Sequence, residues 1–89
     1  MLRRYDDNGA FRTTDTPLAA YLYLKDVRLL GIDILENGRG VFLFEQPSEN
    51  IVEAFRTGKA EASALLYHKS YRSLVRMVNI RKSEVREGR

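Results

Sequence analysis

Lys69, Arg72 and Arg76 follow one another at steps of three and four residues, the spacing that stacks side chains on one face of a helix. Such a spine spans about 10 Å at 1.5 Å per residue, and Arg81 and Lys82 extend it. Cations in that array suit the phosphates of a nucleic-acid backbone, a contact that carries no base-sequence information. The plainer alternative is that they only solvate the outer face of a packed helix. Tyr67 and Tyr71, one turn apart on the apolar side of the same stretch, are expected to pack in the core with their hydroxyls at its edge rather than to stack on bases.

Other chemistry has little to work with. The chain contains no cysteine and one histidine, His68, so thiol catalysis, disulfides and a thiolate or multi-histidine metal site are not expected. General acid and base work needs carboxylates gathered in a pocket, whereas the acids here are scattered. Glu49 and Glu53 share helical spacing in a polar stretch, and Asp33 falls at a sheet margin. Gly38-Arg39-Gly40 joins strand to strand and opens no helix, so it is a hairpin turn rather than a phosphate loop. No catalytic residue, metal or cofactor is therefore expected, and the chain reads as a non-enzyme.

The elements that must position these residues belong to one small domain. The 89 residues are 44% hydrophobic and 30% charged, which suits a single modest core. A chain of this length buries only roughly 60–65% of its unfolded surface, so a partner subunit would add stability. The net charge of +3 is too small to identify a nucleic-acid binder, but its distribution is uneven: residues 59–89 carry eight positive and three negative side chains. No apolar run has the length of a secretion signal or a membrane span, so a soluble, cytoplasmic protein without membrane contact is expected.

Residues 1–10 show no sustained period and read as a mobile arm, with Phe11 to Thr13 a short strand. Thr16, followed by Pro17, predicts the start of a first helix over 16–25, apolar almost all round and hence covered on two sides. Val27 to Glu45 is rich in β-branched and aromatic residues around Asn37-Gly38, the strongest short hairpin signal. With those two residues as the whole turn, Ile34 faces Val41 and Ile32 faces Leu43. Leu29, Leu35, Phe42 and Phe44 then share the other face, with Asp33. A second helix is predicted over 47–57, with Gly58 as its left-handed stop, and 59–63 allows a brief edge strand. A third, amphipathic helix over 64–80 places Tyr67, Tyr71, Leu74, Val75 and Val78 on one face and the basic spine opposite. Residues 81–89 read as a frayed, charged tail.

From Phe11 to Val78 the chain resembles a family of small bacterial and phage proteins described only as a domain of unknown function. The features that carry the resemblance are Thr14-Asp15 before Leu18-Ala19-Ala20-Tyr21-Leu22, the alternating Val41-Phe42-Leu43-Phe44, Phe55 with Gly58 beyond it, and Tyr71, Arg72 and Leu74. The resemblance implies a compact α+β fold, transfers no catalytic residue and raises the expectation of an accessory protein of mobile genetic elements. The family pattern has a glycine after the lysine that ends the first helix. Asp26 follows Lys25 here, which implies a different helix end.

Together these readings predict an α+β domain over 11–80, with a small antiparallel sheet centred on the hairpin and three helices mainly on one face. Two functions follow. One is a protein-interaction module, homodimeric or bound to another protein, that uses the uncovered hairpin face of Leu29, Leu35, Phe42 and Phe44 or an edge strand. The other is a nucleic-acid-associated accessory protein that contacts phosphates through Lys69, Arg72, Arg76, Arg81 and Lys82. The interaction module stands slightly ahead, because a small core gains directly from a partner.

Overall fold

The structure is a computed structural model and describes residues 9–87, without the Glu87 side chain. Apart from Gly9 and Ala10, the expected N-terminal arm lies outside the described residues, as do residues 88 and 89. In chain order the elements are β1 (Phe11–Thr13), α1 (Thr16–Leu24), β2 (Leu29–Ile34), β3 (Gly40–Phe44), α2 (Glu49–Arg56) and α3 (Ala64–Glu87). The three strands form one antiparallel sheet in the order β1-β3-β2, so the chain has the predicted α+β architecture. Residues 59–63 form a connector and no strand.

Each helix starts and stops for a local reason. The Asp15 carboxylate accepts from the Leu18 amide at 3.2 Å, so α1 is capped by Asp15, one residue before the predicted Thr16. Ser48 and Ser63 cap α2 and α3, their hydroxyls accepting from the amides of Ile51 and Leu66. At the far end of α1, the Val27 amide reaches the Leu22 carbonyl at 3.0 Å and the Asp26 amide reaches that of Tyr23 at 3.1 Å. That reciprocal pair needs a left-handed residue at its corner, and Asp26 supplies it at φ 64°. The end of α1 is thus the one a glycine would give, where the sequence implied a different helix end. α2 closes the same way, with Gly58 at φ 81° and bonds from Lys59 to Ala54 and from Gly58 to Phe55.

The hairpin is present but its register differs by one residue from the predicted one. Asn37 keeps a negative φ and uses its side-chain oxygen to accept from the Arg39 amide at 3.0 Å. A two-residue turn needs positive φ at both positions, so the loop instead spans 36–38, with Gly38 alone left-handed at φ 88°. The Leu35 amide donates to the Arg39 carbonyl at 2.8 Å, Ile34 pairs with Gly40, and Ile32 pairs with Phe42. A slip of one residue exchanges the faces of a strand. Ile32 and Ile34 therefore join Phe42 and Phe44, whereas Asp33 joins Val41 and Leu43. A bulge at Leu30 restores Leu29 to the Phe44 side.

The core forms where α1 and α3 cover the Phe42 and Phe44 face. Ala19, Ala20, Leu22, Phe42, Phe44 and Leu74 are fully enclosed, with Val27, Leu29 and Ile32 packed against them. α1 is covered by both α2 and α3, as its all-round apolar sequence requires. The Tyr21 and Phe55 rings, 5.5 Å apart, join α1 to α2. Gly40 lets α3 approach closely: a Cβ there would lie 3.1 Å from the Val78 Cγ2.

Candidate functional site

The uncovered hairpin face expected from the sequence does not exist as an open surface. Phe42 is 1% exposed and Phe44 0%, both enclosed by the chain's own helices. Leu29 is half-buried and packs on the same core. Leu35 is half-buried too, but it pairs with Arg39 at the loop, one strand position away in parity from Phe42. The four residues are therefore not brought together as a surface. Leu29, Phe42 and Phe44 do share a face, but α1 and α3 cover it, and of the four only Leu35 changes sides with the register.

The basic spine is realised, and on a longer support. α3 has 24 residues, about 36 Å of helix, and continues to Glu87 where a frayed tail was expected. Arg81 accounts for part of that continuation. Its Nε donates to the Ile32 carbonyl at 3.1 Å and its Nη1 donates to Glu84 at 3.3 Å, one turn on. Arg81 consequently holds the second half of the helix to β2 rather than facing a ligand with the other cations. Lys69, Arg72, Arg76 and Lys82 are exposed, and their side chains make no hydrogen bond or ion pair among the described residues. Lys69, Arg72 and Arg76 fall within an arc of about 60° at 100° per residue, and Lys82 lies to one side of them.

An open trough of about 830 Å³ follows this face between His68 and Ser83. Besides Arg72 and Arg76 it is lined by Val75, 39% exposed, Asn79 and Ile80, 53% exposed. The sequence reading missed Asn79 and Ser83. The signal was present, since both continue the Arg72 and Arg76 face at steps of three and four, but Ser83 lies past the predicted end of the helix at 80. Tyr67 and Tyr71 pack against the core as expected, their rings 6.3 Å apart, and Tyr71 also lines the trough at its margin. The Tyr67 hydroxyl donates to the Pro17 carbonyl at 3.2 Å. Burial, then neighbouring Tyr71 and Asp15, raises its pKa above the ordinary phenol value.

Nothing else gathers into reactive chemistry. Among the described residues no three His, Asp or Glu side chains come together as a metal site, and no helix is long and apolar enough to cross a membrane. Asp33 is half-buried on the edge strand, and its Oδ2 has no hydrogen-bond partner among the described residues. Comparison with protein-family profiles, with curated proteins and with solved structures gives no match.

Proposed function

We propose that this chain is a small non-catalytic accessory protein that holds a nucleic acid through phosphate contacts along the exposed face of α3. One observation carries this reading: Lys69, Arg72 and Arg76 stand in a row on the solvent side of a long helix with no partner for their charges among the described residues. Cations used for folding are paired or tied to backbone, as Arg81 is; these three are left free for an outside anion. The resemblance to small bacterial and phage proteins suits an accessory role beside mobile DNA in the cytoplasm. The interaction module based on Leu29, Leu35, Phe42 and Phe44 has lost its surface and is not retained.

The test is fluorescence anisotropy with a labelled mixed-sequence DNA duplex over a range of salt. Three phosphate contacts give a slope of log K against log salt of roughly −2.7, so binding is expected to weaken roughly 40-fold between 50 and 200 mM salt. The triple change Lys69→Glu, Arg72→Glu, Arg76→Glu is expected to abolish binding and to leave thermal unfolding nearly unchanged, since all three side chains are exposed. Undiminished binding by the triple variant would move the site elsewhere.

A further inference from the structure

The exposed face of α3 carries more than charge. Arg72, Arg76, Asn79 and Ser83 stand at positions i, i+4, i+7 and i+11, within an arc of about 60°. All four are exposed, and none of their side chains bonds to another described residue. Their types are those that read base edges in DNA: arginine pairs with guanine O6 and N7, asparagine with adenine N6 and N7, and serine with either. Asparagine and serine also donate to phosphates, so what sets the stripe apart is that Asn79 and Ser83 continue the arginine row along one line. A preference for particular bases is the property that separates the two roles.

The surroundings of the stripe fit the same ligand. At 100° per residue Lys69 lies on one side of it, and Lys82 and Arg86 lie on the other. The only acid on α3 before Glu87 is Glu84, which is turned to Arg81 at 3.3 Å and away from the stripe. α3 packs on α1 and β2 with its opposite side, and the hairpin loop 37–39 with Thr14 and Thr16 borders Asn79 and Lys82 along one edge of the stripe. From Arg72 to Ser83 the stripe runs about 17 Å, on a helix of the 10–12 Å diameter that a major groove about 12 Å wide admits. With the stripe facing the bases, the flanking cations face the two phosphate walls.

We propose that α3 is a recognition helix that enters the major groove of duplex DNA, with Arg72, Arg76, Asn79 and Ser83 facing base edges and Lys69, Lys82 and Arg86 facing phosphates. The inference rests on the nucleic-acid reading above and deepens it by moving Arg72 and Arg76 from phosphates to base edges and adding Lys82 and Arg86 beside Lys69 as phosphate contacts, so that part of the contact is sequence-selective. Duplex RNA does not fit, because its major groove is too deep and narrow for a helix.

The full chain is tested by selection from a random 20-bp duplex DNA library, followed by anisotropy with the enriched duplex, a scrambled duplex, the single strand and the matching RNA duplex. The enriched duplex is expected to bind at least tenfold more tightly than the other three. Asn79→Ala is expected to lower that preference roughly tenfold and to leave scrambled-duplex binding and its salt slope unchanged, whereas Lys82→Ala weakens both duplexes alike. Circular dichroism confirms that each exposed-site variant remains folded. Binding without enrichment, equal binding of single strands, or an Asn79→Ala variant with undiminished preference would each overturn the recognition helix and leave the phosphate reading standing. Absence of binding to every probe removes both.

Discussion

At the scale of single residues, backbone geometry explains more than side-chain type. Asp26 occupies a left-handed corner at φ 64° that Gly58 fills in the equivalent bend after α2. A side chain there costs energy, and a carboxylate beside the C-terminal end of a helix adds dipole repulsion. Asp26→Gly removes both terms and is offset in part by the freer unfolded chain. It is expected to stabilise the fold by about 1 kcal/mol, read as a higher denaturation midpoint. Tyr67 gives a pH dependence of definite sign. Its folded pKa is raised, so its stabilising contribution is whole below the unfolded value of about 10 and is lost as pH climbs through the folded one. Thermal melts are expected to fall above pH 10, and Tyr67→Phe, which cannot ionise, should flatten that decline.

At the scale of elements, the periodic segments were legible and the corners were not. The third helix announced itself through Tyr67, Tyr71, Leu74 and Val78, and the hairpin through its alternation around Asn37-Gly38. The turn's length was not legible, because Asn37 can either adopt a positive φ or cap the Arg39 amide with its side chain, and sequence does not decide between them. That single ambiguity exchanged the faces of Ile32, Asp33 and Ile34, whereas the supposed interaction surface was lost because α1 and α3 cover Phe42 and Phe44. The helix end at Ile80 was misjudged for a related reason: Arg81 looks like solvated charge until its bond to Ile32, 49 residues away, is seen. The candidate site was half legible on the same account, its cations in full but its polar stripe truncated. Helix and sheet meet most closely at Gly40, where even one added carbon crowds Val78 at 3.1 Å. Gly40→Val is expected to destabilise by about 1–3 kcal/mol in urea unfolding. Val78→Ala in that background should restore part of the loss, a coupling that two independent sites would lack.

At the scale of the whole molecule, one small core holds everything in place. Phe42 and Phe44 from the central strand, Leu22 from α1 and Leu74 from α3 are all fully enclosed, so every long element depends on the same few contacts. Phe42→Ala is expected to cost about 3–5 kcal/mol, a large share of the stability of a domain this small. Its signature is a lowered denaturation midpoint that does not vary with protein concentration, unlike the loss of a subunit interface. The sheet, for its part, ends at β2, whose outer edge meets no further strand among the described residues. Outward carbonyls on such an edge are templates for a neighbouring chain, and Ile32 offers one. The Arg81 guanidinium occupies that acceptor and sets a positive charge, 45% exposed as a side chain, beside the edge. The same contact that prolongs the helix is therefore a guard against aggregation: it keeps a small sheet from growing, copy upon copy, into a filament.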